Sequence, residues 1–464
     1  MKSITLTVAI ALFILSTLLF TISANASPAT PQAACVAGMA GIYPCNNVDL
    51  LAFVPIGAMG SSGKGGSDLW GWTDPLTGKE YAIMARNNGT SFFDVSIPTA
   101  PVMLANLPSA SSQVRSQRDI KILQDHALIV SESSGHGLQI YDLTQLRDLT
   151  TTTTITHTFL YTGFGSAHNI IVNPDTNFAY VAATDAGNDD DGCNNGLHFL
   201  DMSNILSPSF AGCFSEDGYT HDAQCLTYDS GPDSDFIGHE ICLNANADTL
   251  TIVDVTDKNN PIMLSRSTYA DSGYTHQGWL TADHRYLLLG DELDERNLGV
   301  NTRTYVWDVS SLISPTLQFV NEFASTAVDH NLYTKGQYSY HANYTSGLRI
   351  ADISDLANNH MTEVAYFDVF PTNDAASFSG AWSVYPYFES GIVVVSAREG
   401  LFVLQPHLPV PTSISQLATS INQSPTSVIL PFALLLLSIT GSLYLGKWSN
   451  GHEKRFKLRQ GTGS

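Results

Sequence analysis

The stretch DTLTIVDVTDKNNP, residues 248–261, decides the fold. Thr249 and Thr251 alternate with Leu250 and Ile252, so the run reads as a β-strand. Asp254 closes it, and the Asp/Lys/Asn/Pro cluster behind it is turn chemistry. A single strand decides little, but this one recurs. GTSFFDVSIPTAP (89–101), HGLQIYDLTQL (136–146), NGLHFLDMSNILSP (195–208), TRTYVWDVSSLISP (302–315) and SGLRIADISDL (346–356) repeat the pattern, and EGLFVLQP (399–406) is a degenerate seventh copy. The aspartates fall at Asp94, Asp142, Asp201, Asp254, Asp308 and Asp352, spaced 44 to 59 residues apart. An aspartate at that place is expected to accept backbone N–H groups of the following turn, which makes it scaffold.

Each period holds about four strand patterns. In the fourth period they are HDAQCLTYD, HEICLNAN, TLTIVDV and PIMLSRST. Helical periodicity is missing, so repeated helix pairs are ruled out. Four-stranded units at this period predict an all-β propeller, with seven blades from seven copies. Six or eight blades are the alternatives. The last unit stops at LFVLQP, whereas VDLLAFVPIG (48–57) precedes the first. That N-terminal strand is expected to complete the seventh blade and close the ring.

Aligning the first strand of each unit brings the histidines together. The entries read AHNIIV (167–172), THDAQC (220–225), THQGWL (275–280) and DHNLYT (329–334), with RDIKIL (118–123) before them. DLWGWT (68–73) and WSVYPY (382–387) fit in looser register. First strands line the channel of a propeller, so the expected ring is Asp68, Arg118, His168, His221, His276, His330 and Trp382. The following residues, Asp119, Asn169, Asp222, Gln277, Asn331 and Ser383, point the other way and are expected to bond between blades. Four adjacent imidazoles suit a transition metal. Glu132, Asp185, Asp291, Glu292 and Arg398, near second-strand ends, are possible partners. The alternatives are separate strand-mouth caps and a general base. A second candidate, for calcium, is DAGNDDDGCNNG (185–196), through Asp185, Asp189 and Asp191. It does not match an EF-hand, and a solvated acidic loop is the competing reading.

The chain has six cysteines. Proximity suggests the disulfides Cys35–Cys45, Cys193–Cys213 and Cys225–Cys242, among several connectivities. The motifs G-x-S-x-G, P-loop and H-E-x-x-H are missing, so nothing supports nucleophilic hydrolysis.

The ends suggest export. Lys2, an apolar run and Ala24-Asn25-Ala26 form a signal-peptide pattern over residues 1–26. A segment 27–46 and a propeller 47–406 follow. A Pro/Ser/Thr-rich linker spans 407–426, and SVILPFALLLLSITGSLYLG (427–446) is long enough for a membrane helix. The basic tail 447–464 would stay in the cytoplasm. The expectation is an exported, single-pass membrane protein with its body outside. Net charge is −22, and six of the 21 basic residues lie in the leader and tail. Without a basic stripe, nucleic acid is not an expected partner.

These motifs, together with GSDLWGWTDPLTGKEYA (66–82), YTGFGSAHNI (161–170), DELDERNLGVNTRTYVWDVS (291–310) and GAWSVYPYFESG (380–391), resemble the choice-of-anchor B family, exported bacterial proteins carrying LVIVD repeats. The resemblance covers roughly 45–406. It implies a propeller displayed at the cell surface and supplies no catalytic residue or ligand. The functional expectation is a surface-anchored module that binds a ligand or protein. The alternative is an extracellular metal-dependent hydrolase or lyase using the histidine arc.

Overall fold

The computed structural model describes residues 30, 32–61, 65–184 and 193–409. Seven antiparallel four-stranded sheets follow one another around a common axis, as the repeat predicts. Their innermost strands are Gly66–Thr73, Arg118–Leu123, Asn169–Asn173, Asp222–Thr227, Gln277–Leu280, Leu332–Lys335 and Ala381–Tyr385. We number the blades 1 to 7 in that order.

Apolar side chains of each blade pack against the next, and this makes the ring cohere. The cluster of Ile241, Leu243, Ile252, Leu287, Leu289 and Trp307 joins blades 4 and 5. Equivalent clusters fill the other six interfaces. The third strands are therefore buried on both faces, as Leu250–Asp254 illustrates. Each repeated aspartate accepts the N–H two residues on: Asp94 from Ser96, Asp142 from Thr144, Asp201 from Ser203, Asp254 from Thr256, Asp308 from Ser310 and Asp352 from Ser354, at 2.8–3.0 Å. Just before five of these aspartates the ladder to the fourth strand slips by one residue. Such a bulge adds twist.

The N-terminal strand Val48–Pro55 pairs with Gly400–Pro406 and supplies the fourth strand of blade 7, as expected. The segment before it does more than the sequence suggested. Tyr43–Asn46 adds a strand outside His360–Phe367, so the N-terminus clasps blade 6 as well. Cys35–Cys45 fixes that hairpin, and Cys225–Cys242 links neighbouring strands of blade 4. The third expected bridge, Cys193 with Cys213, does not appear beside these two disulfides. Both residues sit beside His198, and neither is without a partner.

The single-pass membrane location needs correction. Among the described residues no helix is long and apolar enough to cross a membrane. The one α-helix there is Asp294–Leu298, and apolar residues are spent on strands of nine residues or fewer that pack between blades. The segments 1–26, 427–446 and 447–464 lie outside the described residues, as do the linker from 410 onward and the acidic loop with Asp185, Asp189 and Asp191.

Candidate functional site

His168, His221, His276 and His330 each stand at the entry to an inner strand, in blades 3 to 6. They form a continuous arc of mutually tilted rings at one mouth of the channel. Neighbouring imidazole centroids are 4.4, 4.2 and 4.5 Å apart. Trp382 continues the arc, 5.0 Å from the His330 ring, with the Arg398 guanidinium over its outer side. The arc floors a cavity of about 400 Å³ walled by Glu132, Tyr219, Tyr274, Glu292, Tyr344 and Arg398. Tyr219 and Tyr274 are the tyrosines of GYTHD and GYTHQ, two residues before a histidine and so on its side of the chain. Their hydroxyls meet at 3.1 Å.

Hydrogen bonds set the tautomers. His221 donates from Nδ1 to the carbonyl of His276 at 2.8 Å, and His330 donates from Nδ1 to the carbonyl of Trp382. A carbonyl only accepts, so each Nδ1 carries the proton and each Nε2 keeps its lone pair. His276 Nδ1 is buried and has no hydrogen-bond partner among the described residues. Burial and neighbouring imidazoles hold His221 and His276 well below the usual histidine range. Burial likewise lowers His330 to about 3. Three of the four rings are therefore neutral nitrogen donors. His168 differs. Burial pulls it down too, but its 2.6 Å bond to Glu132 and that carboxylate's charge raise it overall.

Glu292 reaches the arc from the end of a blade 5 strand. Its oxygens lie 3.7 Å from His276 Nε2 and 3.8 Å from His330 Nε2. One ligand atom from each of these three residues lies within 4.8 Å of the other two. Burial pushes Glu292 up to about 7 despite a 3.0 Å hydrogen bond from the Tyr344 hydroxyl.

One expected ring member, Asp68, stands elsewhere, whereas Arg118 keeps its place and borders the same narrow space as the four histidines and Trp382. Arg118 turns its guanidinium sideways to His136 Nε2 (2.9 Å) and Ser109 Oγ (3.1 Å). Asp68 belongs one layer deeper, where it accepts the Ile120 N–H just as Asp119 accepts that of Ile170. The histidine-equivalent position in blade 1 is Ser67, because the ladder is irregular between Gly66 and Leu69. The deeper layer bonds between blades as expected. Gln277 exchanges bonds with Leu332, Asn169 donates to the His221 carbonyl, and Asn331 reaches Ser383. Asp291, also a possible partner, instead accepts the N–H groups of Gly273 and Tyr274 and so holds the GYTHQ turn.

The carboxylates of GDELDE (290–295) do not form a solvated loop, as charge in a turn ordinarily does. In the structure Asp294 and Glu295 are buried beside Asp329. Burial and the charges of Asp329 and Asp294 push Glu295 up to about 11.

Residues 330–368 match the family model of the LVIVD repeat. The matched stretch opens on His330 and runs through blade 6 to the end of its outermost strand, so one repeat corresponds to one blade. A search of curated proteins finds no match.

Proposed function

We propose that this propeller is a ligand-binding module whose binding centre is a transition-metal ion at the channel mouth. His276, His330 and Glu292 would hold the ion, with His221 next in the arc. One observation carries the reading: two neutral imidazoles and a carboxylate from adjacent blades converge within 4.8 Å. The carbonyl bonds of His221 and His330 support it, because fixing Nδ1–H is how proteins aim Nε2 at a metal. A mixed nitrogen and oxygen donor set suits zinc, iron, copper or nickel better than calcium or magnesium. The cavity of about 400 Å³ in front of these residues gives a small polar ligand room to approach.

Catalysis is the second reading, favoured by the His168–Glu132 pair on the cavity wall. Its 2.6 Å bond holds a proton between two groups that border the same space. The test is metal content of the full chain, purified without chelators or a histidine tag. Near-stoichiometric zinc, iron, copper or nickel, lost in the double variant His276→Ala/His330→Ala, is expected. Metal-free protein that also takes up none of these ions on dialysis would remove both the centre and the metal-dependent chemistry.

A further inference from the structure

Behind the loop that carries Glu292, three more carboxylates meet. Asp294 and Glu295 begin the short helix Asp294–Leu298, and Asp329 directly precedes His330. They are 0, 2 and 3% exposed. One oxygen from each lies within 4.8 Å of the other two. Asp294 Oδ2 accepts the Tyr305 hydroxyl at 2.9 Å. Asp294 and Glu295 face each other and the Asp291 backbone approaches Asp329, but no hydrogen bond of full geometry reaches the remaining five carboxylate oxygens among the described residues. Arg303 comes no nearer than 4.0 Å to Asp294 and spends its fork on Glu322.

An acidic patch on the surface is solvated and asks for nothing. This cluster has no such outlet. Three carboxylates buried together lose their hydration and repel one another, so they need either shared protons or a cation. The donor set is all oxygen, which hard divalent ions prefer and thiophilic ones do not. Calcium–oxygen distances of about 2.3–2.6 Å place opposing ligands roughly 5 Å apart, and the three carboxylate oxygens lie within 4.8 Å of one another.

We propose that Asp294, Glu295 and Asp329 form a binding site for a hard divalent cation of the calcium class. The site needs no metal at the histidines. The ion would tie the loop bearing Glu292 to the strand entry bearing His330, and so brace the wall of the cavity.

The test is calcium titration of the chelator-treated full chain, read by calorimetry and thermal unfolding. One bound calcium and a raised Tm are expected. Asp329→Asn and Glu295→Gln should each weaken binding at least about tenfold. Without calcium, Asp329→Asn should be no less stable than wild type, because it relieves repulsion. His276→Ala should bind calcium unchanged, which separates this site from the histidine centre. A wild-type chain whose Tm ignores millimolar calcium and manganese would overturn the proposal in favour of shared protons. Calcium binding that survives both carboxylate substitutions would overturn it too, and would direct attention to the acidic segment 185–191.

Discussion

A histidine at the entry to an inner strand points toward the axis unless a neighbour captures it, as His136 and Ser109 capture Arg118 at the equivalent position. Four such histidines in adjacent blades meet, and the arc of imidazoles follows from the repeat. Their roles differ because of what each Nδ1 touches. His221 and His330 find carbonyls, His168 finds Glu132, and His276 finds nothing. Replacing His276 or His330 by alanine should weaken transition-metal binding by at least about a hundredfold, and Glu292→Gln by about tenfold to a hundredfold. Competition dialysis would check both, with Tm expected to fall most in His330→Ala, which loses the hydrogen bond to the Trp382 carbonyl of blade 7. Equal metal binding in all three variants would refute the assignment. Much of this centre was legible in the sequence. The four histidines and Glu292 were found through blade alignment. Asp68 was misplaced because an irregularity in one strand shifts the register, and backbone irregularities leave no mark in residue type. Asp294, Glu295 and Asp329 were missed as a group because charge on a loop ordinarily means solvent, and only tertiary packing buries it.

At the scale of the strand and its turn, the repeated aspartate does the same work in every blade that has one. Ala in place of Asp254 or Asp308 removes an acceptor from the following turn and should cost about 1 kcal/mol, as for a lost helix cap. Urea unfolding of the variants would measure it. These carboxylates also contribute to the acid limit of the fold. Burial opposes ionisation of Asp94, Asp254 and Asp308, but hydrogen bonds to the turns, with Lys79, His239 and Arg285 nearby, leave their pKa values lowered. At Asp201 the bonds from Ser203 dominate and act in the same direction. A lowered folded-state pKa means that the unfolded chain takes up protons first as pH falls. The stabilisation is complete above about pH 5 and is lost as pH drops through about 4 and below. Tm measured from pH 6 to pH 3 should fall, with less of a decline in the Asp254→Asn/Asp308→Asn variant. The Cys225–Cys242 bridge closes a loop of sequence separation 17. Replacing both cysteines by alanine should cost about 3 kcal/mol in the chain-entropy account. The repeat made the turn aspartates readable, whereas the ladder slip before them, being purely conformational, was not.

The whole ring depends on a contact between its two ends. Val48–Pro55 alternates buried and partly buried residues and covers Gly400–Pro406. Starting the chain after residue 55 would leave blade 7 three-stranded and expose the faces that Val48, Leu50, Ala52 and Val54 now fill. Such a truncation should lose cooperative unfolding and aggregate, as followed by circular dichroism and light scattering, since an open sheet edge pairs readily. The closing strand was legible because the last repeat visibly lacked one. The clasp on blade 6 was not, because Tyr43–Asn46 is only four residues long and gives no periodic signal. The strand entries of blades 5 and 6 meet at the channel mouth, where His276, Glu292 and His330 converge. Metal-edge X-ray absorption of the full chain, loaded with zinc after calcium saturation, tests that centre directly. Two imidazole nitrogens at about 2.0–2.1 Å and at least one carboxylate oxygen should surround the zinc, and this coordination should be lost in His276→Ala/His330→Ala. A shell made only of oxygen, or one unchanged in that variant, would contradict the proposed centre.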